Sequence, residues 1–112
     1  MEIQEISRDL WVDYFNGLSK SHAERPVAIE AYGPGTFNHH VTVALPFAGT
    51  TYEQKEDTIE IIQGLAKNNL VSHTVAKPTH IWFHSDVTDV TDVVEIRSGD
   101  GVTFLLRFSA EG

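Results

Sequence analysis

Hydrophobic and polar positions follow two different periods along this chain, and the change from one to the other falls near Arg25. The sharpest alternation comes last. Val94 and Ile96, then Phe104 and Leu106, flank the corner Gly99-Asp100-Gly101. A three-residue loop there sets Ile96 opposite Phe104 and Val94 opposite Leu106, the register that gathers the apolar residues on one face of a β-hairpin. Gly101 then falls at the left-handed position that closes such a loop, where the missing Cβ removes the steric penalty.

Before Arg25, residues Ile6, Leu10, Trp11, Tyr14, Phe15 and Leu18 recur at the spacing of an amphipathic helix. The helix is predicted over about 7–22, with Ser7 as N-cap and Asp9 favoured by the helix dipole. Asn16-Gly17 weakens its middle by ~1 kcal/mol. After Arg25, residues Val27, Ile29 and Ala31 mark one strand, and His39, Val41, Val43 and Leu45 a second, joined at Gly33-Pro34-Gly35. The predicted register pairs Ala31 with His39, Ile29 with Val41 and Glu30 with His40.

Residues 50–57 read as a polar, broken stretch, 58–62 as a third strand that stops at Gly64, and 65–69 as a turn. Residues 71–76 and 80–84 then read as a second hairpin about Lys77-Pro78-Thr79. Its register puts Trp82 opposite Thr74, His84 opposite Ser72, His80 opposite Ala76 and His73 opposite Phe83. The fold expected is α+β: an N-terminal amphipathic helix packed on a curved, mostly antiparallel sheet or small open β-barrel of six to seven strands. With 112 residues and no Pro/Gly/Ser-rich linker, 1–112 is expected to be a single domain whose β region spans about 26–108.

Charge and composition then remove several classes of function. Sixteen acidic against 8 basic residues give a formal charge of −8, and the cations are scattered singly. Neither nucleic acid nor an anionic membrane surface is an expected partner. No apolar run approaches the ~20 residues of a transmembrane helix. The start Met1-Glu2-Ile3-Gln4-Glu5 is acidic where a secretory signal would be basic, so the expected location is cytoplasmic. The lack of cysteine removes disulfides, thiolate nucleophiles and Cys-ligated metals together.

Glu5-Ile6-Ser7-Arg8 followed by Trp11, Phe15, Ser19 and His22 forms the first of several short motifs. Leu45-Pro46-Phe47 with Gly49, then Asp57-Thr58-Ile59-Glu60-Ile61, then Pro78-Thr79-His80-Ile81-Trp82 follow in order. Glu95-Ile96 through Gly101 to Leu105-Leu106-Arg107-Phe108 completes the set. In this order and spacing the chain resembles a family of small bacterial proteins of about this length, catalogued only as a domain of unknown function. The resemblance implies a compact bacterial-type domain and assigns no catalytic or binding residue.

Six histidines raise the question of a metal site. On a strand rising ~3.3 Å per residue, His80 and His84 lie about 13 Å apart, too far to meet at one ion. His39 and His40 point to opposite faces. Asp86, Asp89 and Asp92 repeat every three residues without the alternating oxygens and glycine of a calcium loop. No metal or other cofactor is therefore expected. Gly-x-Ser-x-Gly and phosphate-loop patterns are missing, and no catalytic residue is assigned. His73 is expected half-buried, hydrogen-bonded to a carbonyl or hydroxyl; the alternative is a base of lowered pKa in a cleft.

The candidate interaction or ligand face carries Ser72, Thr74, His80, Trp82 and His84. A large indole among hydroxyls and imidazoles needs cover from the helix, another protomer or a ligand. The reading that fits these features is a non-catalytic cytoplasmic accessory or protein-interaction domain, with a protein partner or self-association. The alternative is a small enzyme or small-ligand-binding protein with a histidine-lined cleft, which leaves a small-molecule ligand open.

Overall fold

Side chains that alternate between core and solvent draw most of this chain into extended backbone, because one buried face per strand suffices to cover a common core. The computed structural model describes residues 2–33, 39–42, 44–64, 69–85 and 92–109. Strand β1 (Glu2–Glu5) leads through a 3-10 turn (Arg8–Leu10) into helix α1 (Trp11–Ser21). Then follow β2 (Pro26–Tyr32), β3 (His39–Val41), β4 (Leu45–Glu53) and β5 (Thr58–Gly64). Next come β6 (Leu70–Ala76), β7 (Pro78–Ser85), β8 (Asp92–Ser98) and β9 (Thr103–Phe108).

Neighbouring strands are antiparallel and run in the order β1-β7-β8-β9-β2-β4-β5-β6, with β3 beside β2. The protein is therefore an α+β fold dominated by antiparallel sheet. The described residues form nine strands instead of six or seven. One addition is β1, whose two glutamates hide any alternation. The other arises because residues 39–45 divide into β3 and the start of β4, which continues to Glu53 through the stretch predicted as polar and broken. A bulge between Phe47 and Gly49, with Gly49 at φ +149°, interrupts the alternation there.

The β8–β9 hairpin takes the predicted register, with Val94 opposite Leu106 and Ile96 opposite Phe104. Gly101 sits at φ +91°, and the Ser98 amide donates to the Val102 carbonyl at 2.9 Å across the three-residue loop. The Ser98 hydroxyl bonds the Asp100 carboxylate, which that contact holds below the usual carboxylate pKa.

The predicted second hairpin does not form. Strand β6 pairs with β5, whereas β7 pairs with β1 and β8. Lys77 between them adopts φ +50°, its amide bonding Asp57 O and its carbonyl accepting from Gly99 N, each at 2.8 Å. This corner sends β7 to the far side of the sheet. The β2–β3 register is also one residue from prediction, with Ala31 opposite His40, Glu30 opposite Val41 and Tyr32 opposite His39. Thr42 accounts for the slip: its Oγ1 accepts from the Ile29 amide at 3.0 Å and its own amide donates to Ile29 O at 2.9 Å. Of the intervening Gly33-Pro34-Gly35 corner, residues 34 and 35 lie outside the described residues, as do Val43 and most of the predicted 65–69 turn.

Helix α1 begins at Trp11, later than predicted, because the preceding turn is 3-10 and Ser7 makes no side-chain cap. Gly17 does not break it. Trp11, Phe15 and Leu18 are buried, while Leu10 from the same predicted stripe is 52% exposed. The buried residues join Val27, Ile29, Phe47, Ile59, Ile61, Val75, Ile81, Ile96 and Phe108 in one hydrophobic cluster. Rings of Phe47 and Phe108 meet edge to face at 5.0 Å, as do Trp11 and Tyr52 at 5.1 Å. Ser19 fastens the helix to β4, its hydroxyl donating to Thr50 O and accepting from Thr50 N, both at 2.9 Å. Among the described residues, no helix is long and apolar enough to cross a membrane.

Candidate functional site

The five residues predicted to share one face are divided between two strands that the sheet keeps apart. Ser72 and Thr74 are exposed on β6, opposite Ile62 and Glu60 of β5. His80, Trp82 and His84 lie on β7, with β8, β9, β2, β4 and β5 between them and β6. The predicted face is therefore two surfaces.

On β7, register places Trp82 between Glu5 of β1 and Glu95 of β8, and His84 between Ile3 and Val93. Phe83, pointing the other way, faces helix residues Tyr14 and Leu18, so α1 covers the face opposite Trp82. Cover for the indole comes from its own sheet. His80 stacks on Trp82 with ring centroids 5.1 Å apart, and the Arg97 guanidinium lies 4.8 Å from the ring centroid. The polar groups here are paired within the chain: His80 Nδ1 meets Glu5 Oε2 at 2.8 Å, and His84 Nε2 meets Glu95 Oε1 at 3.0 Å. Farther across the sheet Arg107 bonds Glu30, which raises the arginine pKa further. Among the described residues, no three histidine, aspartate or glutamate side chains converge to hold a metal ion. Residues Asp86 and Asp89 lie outside the described set.

The β6 surface differs in kind. Seven residues, Leu-Val-Ser-His-Thr-Val-Ala, carry no lysine, arginine, aspartate or glutamate. Leu70 is 51% and Val71 42% exposed. Ser72 donates to Glu60 at 3.1 Å, and only the β5 side of the strand is paired among the described residues. His73 turns inward, where its Nε2 meets the Gln63 side-chain oxygen at 3.0 Å. Gln63 is itself fully buried and donates to Val27 O at 2.8 Å. Because an amide oxygen only accepts, this pairing puts the His73 proton on Nε2. Burial lowers the His73 pKa, so the imidazole is held neutral.

A third region gathers residues to which the sequence reading gave no role. At the C-terminal end of α1, Ser21 Oγ lies 2.7 Å from His22 Nδ1, and His22 Nε2 lies 2.9 Å from Asp92 Oδ2. A hydroxyl, imidazole and carboxylate in line resemble a nucleophile relay. They sit, however, at the negative end of a helix dipole, a field that opposes a developing oxyanion. The chain of bonds instead clamps α1 to the start of β8. Arg25 reinforces it, reaching Asp92 at 3.5 Å and Ser109 O at 2.7 and 2.9 Å. His22 also meets Phe108 edge to face at 4.7 Å.

Beside this clamp, a groove of about 400 Å³ runs between α1 and Phe83. Leu18 and Tyr14 wall it, and Asp13, Ser21 and His22 supply its polar rim. The Tyr14 hydroxyl is buried with no hydrogen-bond partner among the described residues, and burial, then the Asp92 charge, raises its pKa. The only sequence signal for this groove was the helical spacing of Asp13, Gly17 and Ser21; Asp92 and Phe83 reach it through the fold.

A family model described as a family of unknown function (DUF5335) matches residues 2–111. An uncharacterized protein of Aquifex aeolicus (strain VF5) is 24% identical over 107 residues, covering 96% of this chain and 92% of that protein. No solved structure matches the chain.

Proposed function

Since this chain belongs to the family of unknown function (DUF5335), whose membership assigns no activity, we propose that it is a non-catalytic interaction domain that pairs with a second copy of itself along β6. The observation that carries this reading is the character of that edge. Exposed, uncharged edge strands recruit other strands, and proteins ordinarily guard them with charge, proline or a bulge. Strand β6 has seven residues and none of the first two devices.

Its sequence is also close to self-complementary about His73. In a symmetric antiparallel pairing Leu70 meets Ala76, Val71 meets Val75 and Ser72 meets Thr74, so like chemistries lie opposite one another. A molecule of formal charge −8 repels its own copy, and an uncharged strand is where that repulsion is weakest. The β7 surface is less suited to the task, because its two histidines and Arg97 are already paired with glutamates of the same chain.

On this reading residues 1–112 are one domain, supported by the single buried cluster that joins α1 to seven of the strands. The sheet, on the same reading, is curved and open. Eight flat strands ~4.8 Å apart would make a broad, thin slab, whereas the principal extents of 35, 33 and 32 Å are nearly equal.

Sedimentation equilibrium of the full chain tests the pairing. Wild type is expected as a dimer, and Val71→Lys with Thr74→Lys as a monomer with cooperative unfolding retained. A monomeric wild type at high micromolar concentration would sink the reading. A monomer that instead binds a synthetic β-strand peptide at the same edge would move it to a heterologous partner.

A further inference from the structure

We propose that the groove between α1 and β7 binds a small organic amine, its ammonium held at Asp13 and its apolar body laid against Tyr14, Leu18 and Phe83. This site is independent of the β6 edge.

Size comes first. A volume of about 400 Å³ falls within the range of ligand clefts, and mostly apolar walls with a few placed polar groups are what such clefts present. Asp13, Gly17 and Ser21 lie four residues apart on one helix face, so the groove follows ~12 Å of the helix axis. That length suits a ring or short chain with one polar end.

The rim supplies a second observation. Asp13 is exposed on the groove's edge, where its carboxylate can accept from an ammonium and neutralise the charge. An anionic ligand would meet Asp13 at one end of the groove, and Asp92 with the carbonyl end of α1 at the other. Opposing cations are His22, when protonated, and Arg25, and both are already bonded to Asp92.

Gly17 supplies a third. Glycine inside a helix costs ~1 kcal/mol relative to alanine, and proteins keep it where packing or function requires. Packing does not require it here, because a Cβ at position 17 would meet no atom within 4 Å. The space such a side chain would enter is the groove. The glycine keeps that space open at the helix's expense.

Titration of the isotope-labelled full chain with 2-phenylethylamine, followed by amide chemical shifts, tests the site. Saturable shifts are expected at Tyr14, Leu18 and Phe83, with phenylacetate and 2-phenylethanol each binding at least about fivefold more weakly, a difference of ~1 kcal/mol. Asp13→Asn, at an exposed position, should weaken the amine by a similar factor. Gly17→Leu should abolish the shifts while unfolding stays cooperative. The proposal fails if the amine gives no saturable shift at these residues, if phenylacetate or 2-phenylethanol binds as tightly, or if Gly17→Leu binds as wild type does.

Discussion

The two edges of this sheet are built to opposite standards. Strand β1 is four residues long, carries Glu2 and Glu5, and is held from both ends of its exit. The Ile6 amide donates to Ile81 O at 2.8 Å, and the Trp11 indole donates to Ile6 O at 2.9 Å, so the chain turns directly from β1 into the buried helix. Strand β6 is nearly twice as long, uncharged, and exposes Leu70 and Val71. The contrast shows that guarding an edge is a local property: the same chain spends charge and tight anchoring at one edge and neither at the other.

The comparison can be broken hardest at the anchor beside β1. Phe15→Ala removes a ring with no exposure from beneath the helix and is expected to cost about 3–5 kcal/mol in denaturant unfolding. A loss below ~1 kcal/mol would mean that the helix does not secure that side. Association should respond next. Val71→Lys with Thr74→Lys should weaken self-association on the order of 100-fold, ~2.7 kcal/mol, whereas Ile3→Lys on β1 should leave it unchanged. Equal effects at both edges would erase the distinction.

Gly17→Ala, on the helix that shields the β1 side, should stabilise the protein by ~1 kcal/mol, because the added methyl meets nothing and removes backbone entropy from the unfolded chain. The smallest effect belongs to β6 itself. Burial lowers the His73 pKa below its unfolded value of 6.5, so the folded state favours the neutral ring. Stability from this source is fully present above pH 6.5 and is lost as pH falls through the folded pKa. Urea melts from pH 7.5 to 5 should show the decline, and His73→Gln should flatten it.

What could be read from sequence was the local part of the fold. Gly99-Asp100-Gly101 specifies its loop within three residues, and the flanking alternation fixes one register, so β8 and β9 were legible. Trp11, Phe15 and Leu18 were legible as a buried face for the same reason of short-range spacing. Lys77-Pro78-Thr79 offered the same kind of signal, but the left-handed Lys77 turns β7 away from β6. The choice of partner strand depends on β1, whose acidic sequence gives no alternation to read. Ser72, Thr74, His80, Trp82 and His84 were therefore placed correctly on their strands and wrongly on a common face. The groove was hidden for a similar reason, since Phe83 and Asp92 meet the helix only after the sheet has closed beneath it.

The Lys77 corner has a consequence for how the molecule assembles. Its amide and carbonyl join the turn at Asp57 to the turn at Gly99, and Arg8 closes the same corner by bonding Pro78 O at 2.9 Å and Asp57 at 3.4 Å. Four segments distant in sequence must therefore converge before it exists, and such contacts form after the local hairpins because each carries loop-closure entropy. Lys77→Gly, which relieves the left-handed strain, should accordingly slow unfolding and leave the folding rate unchanged in stopped-flow measurements. Until that corner closes, β6 and β7 are free to pair as the hairpin that their own alternation favours. The left-handed backbone at Lys77 holds that alternative pairing off once the sheet is complete.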